Sequence, residues 1–188
     1  MSRGDNATLN MSNNTVTKNV SSRLGAGVYS YGTSVITNNI ISGNSLTAAI
    51  QQQIGSELVA RSPNSTPPTI SNNLLGSNAT TDAEAFETTP DNTNIFATSN
   101  RLNLPLNRII EPSLAGNGGL TLTHLLPANS PAVNAGDNTI CDDTDQRGVP
   151  RSDGACDIGA VERAIGDEEP SSFYVIPLPD GGSVIFSL

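Results

Sequence analysis

Six aspartates, Asp137, Asp142, Asp143, Asp145, Asp153 and Asp157, crowd into the stretch from 137 to 157. Loop carboxylates at this density suit calcium, which takes roughly six to eight oxygen ligands. The spacing matches neither an EF-hand nor the nonapeptide calcium repeat. Asp137, Asp142, Asp143, Asp145 and Asp157 are therefore calcium candidates, set against solvated carboxylates paired with arginine. Asp142 and Asp143 are the nearest thing to paired acid–base carboxylates, but neighbours on a strand face opposite ways. His124 is the only histidine and has no acid and nucleophile near it in sequence. The bases of the repeat coils, Lys18, Arg23 and Arg61, fall at unrelated repeat positions. No catalytic residue is assigned, and no cofactor other than calcium is indicated.

Cys141 and Cys156 bracket the same polar loop. An even count around such a loop reads as one disulfide, which requires an oxidising compartment. Two separate thiols or a metal pair are the alternatives, the latter short of ligands because the spacing is not CxxC.

The elements that must position these residues are short strands. Asn alone supplies 21 of the 188 residues, and Ser, Thr and Gly are also abundant, which disfavours long helices. Val, Ile and Leu runs recur throughout at low charge density, which disfavours disorder. A net charge of −9 with a single lysine leaves no surface for tracking phosphates, so nucleic acid is excluded as a partner. No apolar run approaches the roughly 18 residues of a transmembrane helix.

An internal repeat organises the first half. Asn13-Asn14-Thr15-Val16-Thr17-Lys18-Asn19 matches Asn38-Asn39-Ile40-Ile41-Ser42-Gly43-Asn44, and both match Asn72-Asn73-Leu74-Leu75-Gly76-Ser77-Asn78. Coils of this kind bury a shared Val/Ile/Leu core only when stacked. Asn13, Asn14, Asn38, Asn39, Asn72 and Asn73 suit the corners. Asn tolerates the left-handed conformation, and stacked Asn side chains can form a hydrogen-bonded ladder. The wider second interval implies an insertion between Ser45 and Pro68. Within it, Leu46 to Ala60 reads either as a short helix, with Ile50 and Ile54 on one face, or as an excursion with an edge strand near Glu57 to Ala60. Residues 79–107 read as a long irregular crossing over the surface.

The stretch from Glu111 to Glu162 carries NGG (117–119), THLLP (123–127), SPAVNAGD (130–137), TDQRGVPR (144–151) and CDIGAVE (156–162). It closely resembles the C-terminal end of bacterial right-handed parallel β-helix surface proteins, the choice-of-anchor Q domain group. With the upstream GxGV and NNxIxxN motifs, the likeness covers roughly residues 8 to 162. The resemblance implies an all-β, pectin-lyase-like right-handed parallel β-helix, secreted or on the cell surface, with no assigned reaction. Members usually carry many more coils, and this chain enters its repeat almost at once. A piece of a longer protein is expected, with missing upstream coils as a partner. Its first residues hold no apolar signal core.

The signature reads physically as a cap over the last coil, whose strand edges would otherwise template aggregation. Asp145, Arg147, Arg151 and Asp157 are the expected ion pairs across it. Residues 163–172 read as an acidic linker. Residues 173–188 read as a hairpin around Pro179-Asp180-Gly181-Gly182, either docked on the body or serving as an export or anchoring tag. Arg3-Gly4-Asp5 and the sequons at Asn6, Asn19 and Asn64 arise readily in such a composition.

The expected function is a non-catalytic surface module, adhesin-like or contacting polysaccharide or a cell-surface glycan, with Tyr29 and Tyr31 as candidate contact residues. A polysaccharide lyase or hydrolase remnant and a purely structural stalk are the alternatives.

Overall fold

The computed structural model of the chain describes residues 2–47, 54–63, 66–151, 154–164, 167, 173–177 and 183–187, with backbone alone for 2–6 and for the last two segments. Among the described residues ten strands run between Ser2 and Phe96: β1 (Ser2–Ser12), β2 (Thr15–Thr17), β3 (Val20–Ser21), β4 (Val28–Thr37), β5 (Ile40–Ser42), β6 (Ser45–Leu46), β7 (Leu58–Arg61), β8 (Thr69–Ser71), β9 (Leu74–Leu75) and β10 (Ile95–Phe96). All their ladders are parallel. β4 pairs with β1, β7 and β8, a second sheet runs β10-β9-β5-β2, and β3 pairs with β6. The fold is thus mostly β, with one short helix α1 (Asp82–Ala85) and a 3-10 turn at Leu106–Arg108 among the described residues. No helix among the described residues is long and apolar enough to cross a membrane.

The repeated Asn pair makes the corner between the two sheets, and its two members do different things. The first, at Asn13, Asn38 and Asn72, takes the left-handed conformation with φ of 53°, 55° and 56°. The second, at Asn14, Asn39 and Asn73, stacks side chain on side chain. The strand that follows has both faces covered, which is why its apolar residues are adjacent rather than alternating. Ile41, Leu75 and Phe96 point into a core with Val28, Ile36, Leu58, Ala85 and Phe86. Ile40, Leu74 and Ala97 point the other way, into a core with Ile109, Ile110, Leu126, Ala132 and Ile158. In β4, by contrast, Val28, Ser30, Ser34 and Ile36 are buried while Tyr29, Tyr31, Thr33 and Val35 face outward.

Three expectations need correction. Residues 79–107 do not stay on the surface throughout, since Ala85, Phe86, Phe96 and Ala97 are buried. Phe86 and Phe96 pack edge to face at 5.7 Å inside the core, and β10 extends the second sheet. Two phenylalanines are apolar surface enough to pull a polar segment inward. The signature does not lie over the last strand edge. That edge is closed locally, where Leu102 and Leu104 donate N–H to the Phe96 and Ala97 carbonyls at 3.2 and 3.0 Å. The signature instead crosses several strands, donating from Gly159 N–H to the Asn38 carbonyl at 2.9 Å and from Ala160 N–H to Thr15 Oγ1 at 3.1 Å. The outward Ile40 and Leu74 dictate this placement, because they would otherwise lie bare. Finally, Asp167 is no free linker residue, since it is bound by Arg147.

The insertion carries β7, the expected strand, although residues 48–53, which include Ile50, lie outside the described residues. Strands β11 (Phe173–Pro177) and β12 (Ser183–Ser187) pair antiparallel as expected, with Phe173 opposite Ser187. The turn between them and the docking of the hairpin lie outside the described residues.

Candidate functional site

The asparagine stack is continuous through four positions. Asn14 donates through N–H and Nδ2 to Asn39 Oδ1 at 2.9 and 3.2 Å. Asn39 does the same to Asn73 at 2.8 and 3.0 Å, and Asn73 to Asn94 at 3.1 and 2.9 Å. The sequence separations are 25, 34 and 21. Asn94 escaped the sequence reading because it has no Asn before it and a shorter interval. A second stack begins at Asn19 and Asn44, the closing residues of the repeat, and ends on Glu57.

The left-handed asparagines hold the disulfide. Cys141 and Cys156 are bonded, 15 residues apart, and Asn38 Nδ2 lies 3.2 Å from Cys141 Sγ. Asn13 Nδ2 reaches the same sulfur at 3.5 Å. Asn38 also exchanges two bonds with the Asp137 backbone, at 3.0 and 2.9 Å. The disulfide loop is therefore pinned to the corner of the sheets.

The expected ion pairs are present in altered form. Arg147 Nε meets Asp145 Oδ2 at 2.9 Å, and both side chains are inaccessible, at 2% and 0% exposure. The other end of the same guanidinium grips Asp167 bidentately at 2.8 and 3.0 Å, while Asn117 and Glu162 accept through their carbonyls. Burial pushes the Asp145 carboxyl up, but the Glu162 N–H and the Arg147 guanidinium outweigh it and hold it below its ordinary value. Arg151 pairs with Glu162 at 2.7 Å and donates to the Asp157 and Gly159 carbonyls. The Asp157 carboxylate accepts the Asn134 and Arg163 N–H groups, both at 2.6 Å. Glu162, with its charge buried and its carboxyl pushed up by that burial, was missed from sequence. Nothing local marks it, since its partner is eleven residues away.

The calcium candidates do not converge. Asp145 and Asp157 are committed to the contacts above. Asp137 accepts from Thr139 N–H and Oγ1, at 2.9 and 2.7 Å, while Asp142 and Asp143 are exposed. Asp153 lies outside the described residues. Among the described residues no three of His, Cys, Asp or Glu are arranged to hold a metal ion. His124 bonds through Nδ1 to the Glu111 carbonyl at 2.7 Å.

The remaining candidates, Tyr29 and Tyr31, share the outward face of β4. Tyr31 stands opposite Arg61 of β7, and Tyr29 opposite the buried Val59. Arg61 forks onto Glu87, Nε to Oε2 at 2.7 Å and Nη2 to Oε1. That contact raises the Arg61 pKa, with Tyr29 adding to it, and lowers that of Glu87. Two partly exposed tyrosines thus stand beside a planar, charged, partly exposed pair. No protein-family model, curated protein or solved structure matches the chain.

Proposed function

We propose that the chain is a short right-handed parallel β-helix of the choice-of-anchor Q type, working as a non-catalytic surface module that contacts glycans. Parallel strands recurring in the same order in two sheets, with asparagines stacked at their corners, support the β-helix. The handedness follows the strong preference of parallel crossovers. A disulfide fits a secreted or cell-surface setting.

One observation carries the binding reading: Tyr29, Tyr31, Arg61 and Glu87 line one outward patch. Tyrosine offers an apolar ring face with a polar tip, and a forked Arg–carboxylate pair offers planar donors and acceptors. Sugars present the matching alternation of C–H faces and hydroxyls.

The test is a thermal-shift panel of neutral and acidic polysaccharides with the oxidised protein, with and without calcium, and with product analysis of every positive well. A saturable shift without cleavage, lost in Tyr31→Ala, is expected. Cleavage products would replace this reading with a lyase or hydrolase. No shift with any glycan would leave a structural stalk.

A further inference from the structure

The chain leaves its folded body at a fixed point. Arg147 grips Asp167 bidentately, and Ala164 N–H donates to Asp167 Oδ2 at 2.9 Å. Asp167 N–H returns a bond to the Ala164 carbonyl at 3.1 Å. Residues 168–172 separate this anchor from β11. Fully extended, they span about 20 Å at most, so the hairpin begins within that distance of Asp167.

Asp167 itself stands in the wall of a cavity of about 480 Å³. Segments 111–117 and 125–128 and Arg163 supply the rest of the wall, which Ala115, Leu125, Leu126, Pro127 and Ala128 make mostly apolar. No residue of β1 to β10 lines it, so a further coil continuing those strands would not fill it.

The hairpin needs cover of this kind, because two strands alone are marginal in water. Its register puts Tyr174 opposite Phe186 and Ile176 opposite Val184 on one face. On the other face stand Phe173 opposite Ser187, Val175 opposite Ile185 and Pro177 opposite Ser183. Only the first face is free of serine.

We propose that the C-terminal hairpin docks in this cavity by its Tyr174, Ile176, Val184 and Phe186 face. The Tyr174–Phe186 pair enters first, since it stands one position from the start of β11 and so nearest the tether. A tether this short holds the hairpin at an effective concentration of about millimolar. That favours the chain's own hairpin over a second copy's or a partner's strand, and makes the cavity the seat of the chain's own tail.

The chain has no tryptophan, so Phe186→Trp supplies a single fluorescent reporter. In the oxidised full chain a blue-shifted emission is expected, with acrylamide quenching several-fold weaker than for free indole, in a monomer by sedimentation. Ala115→Arg and Ala128→Arg each block the cavity from an exposed position on a different wall. Either should shift the emission to the red and restore quenching while far-UV circular dichroism stays unchanged. Leu122→Glu, among the exposed leucines outside this cavity, should leave the emission as it was. Solvent-like emission before any blocking substitution, indifference to both arginine variants, a red shift with Leu122→Glu instead, or a dimer would each overturn the proposal. Hydrogen exchange of the unsubstituted chain guards against a reporter that disturbs the hairpin. Slow amides in β11 and β12 that become fast in Ala128→Arg are expected, and fast amides there in the unsubstituted chain refute the docking.

Discussion

Glu57 Oε2 lies 2.6 Å from Asn44 Nδ2, where the Asn19–Asn44 stack would need a further asparagine. The same carboxylate accepts the Gly43 and Asn44 N–H groups at 2.8 and 3.2 Å. A fully buried carboxylate thus terminates a ladder of amides, fed only by N–H donors. Burial pushes its pKa up to about 7, against the pull of the Asn44 and Gly43 donors.

That shift sets a pH dependence. The folded-state pKa lies above the unfolded value, so the folded chain binds the proton more tightly. The stabilisation is complete below pH 4.5 and is lost as pH rises through about 7. The loss amounts to roughly 3 kcal/mol at most. Asp145 and Asp167, whose pKa values are lowered, act in the opposite sense and only at lower pH. Urea unfolding between pH 5 and 8 should show stability falling with pH, and Glu57→Gln should flatten the slope. A slope unchanged in the Gln variant would assign the effect to Glu162, whose carboxyl is also pushed up.

The two members of each Asn pair should respond differently to glycine. Asn72→Gly keeps the left-handed corner and loses only a 3.4 Å contact with Asp137, so urea midpoints should move little. Asn73→Gly removes the ladder and strands buried donors and acceptors, at about 1–3 kcal/mol for each unsatisfied group. Equal effects would deny the division of roles.

Reduction of Cys141–Cys156 should lower stability by about 3 kcal/mol, the scale for a loop of this length. Cys141→Ser with Cys156→Ser should reproduce the loss in the absence of reductant. Thermal melts of both, with and without dithiothreitol, check this.

Arg147→Lys should be nearly as damaging as Arg147→Ala. The guanidinium serves Asp145, Asp167 and two carbonyls at once, which an ammonium cannot span. Breaking a buried pair of this kind costs about 3–5 kcal/mol. Chemical denaturation of both variants is the measurement. An Arg147→Lys protein as stable as the parent would mean that the cross-link is dispensable.

Much of this architecture was legible in residues that act locally. The left-handed corners at Asn13, Asn38 and Asn72, the apolar pairs Ile40-Ile41 and Leu74-Leu75, and the cysteines around a polar loop all announce themselves by type and spacing. A corner needs a residue that tolerates positive φ, and a strand covered on both faces needs adjacent apolar side chains. The arginines of the signature were also visible, though not all their partners.

The rest depended on which distant segments meet. Glu57 replaces an asparagine because the insertion brings it under Asn44, and nothing around residue 57 carries that information. Phe86 and Phe96 enter the core from a polar stretch because each pairs with a strand, Phe86 with Leu58 of β7 and Phe96 with Leu75 of β9. The signature lies across the strands rather than over their end because Ile40 and Leu74 need cover there, while Leu102 and Leu104 already close β10. Residue types fix what a backbone can do locally. Only the packed chain decides which buried group finds which partner, because each partner must arrive from elsewhere in the sequence.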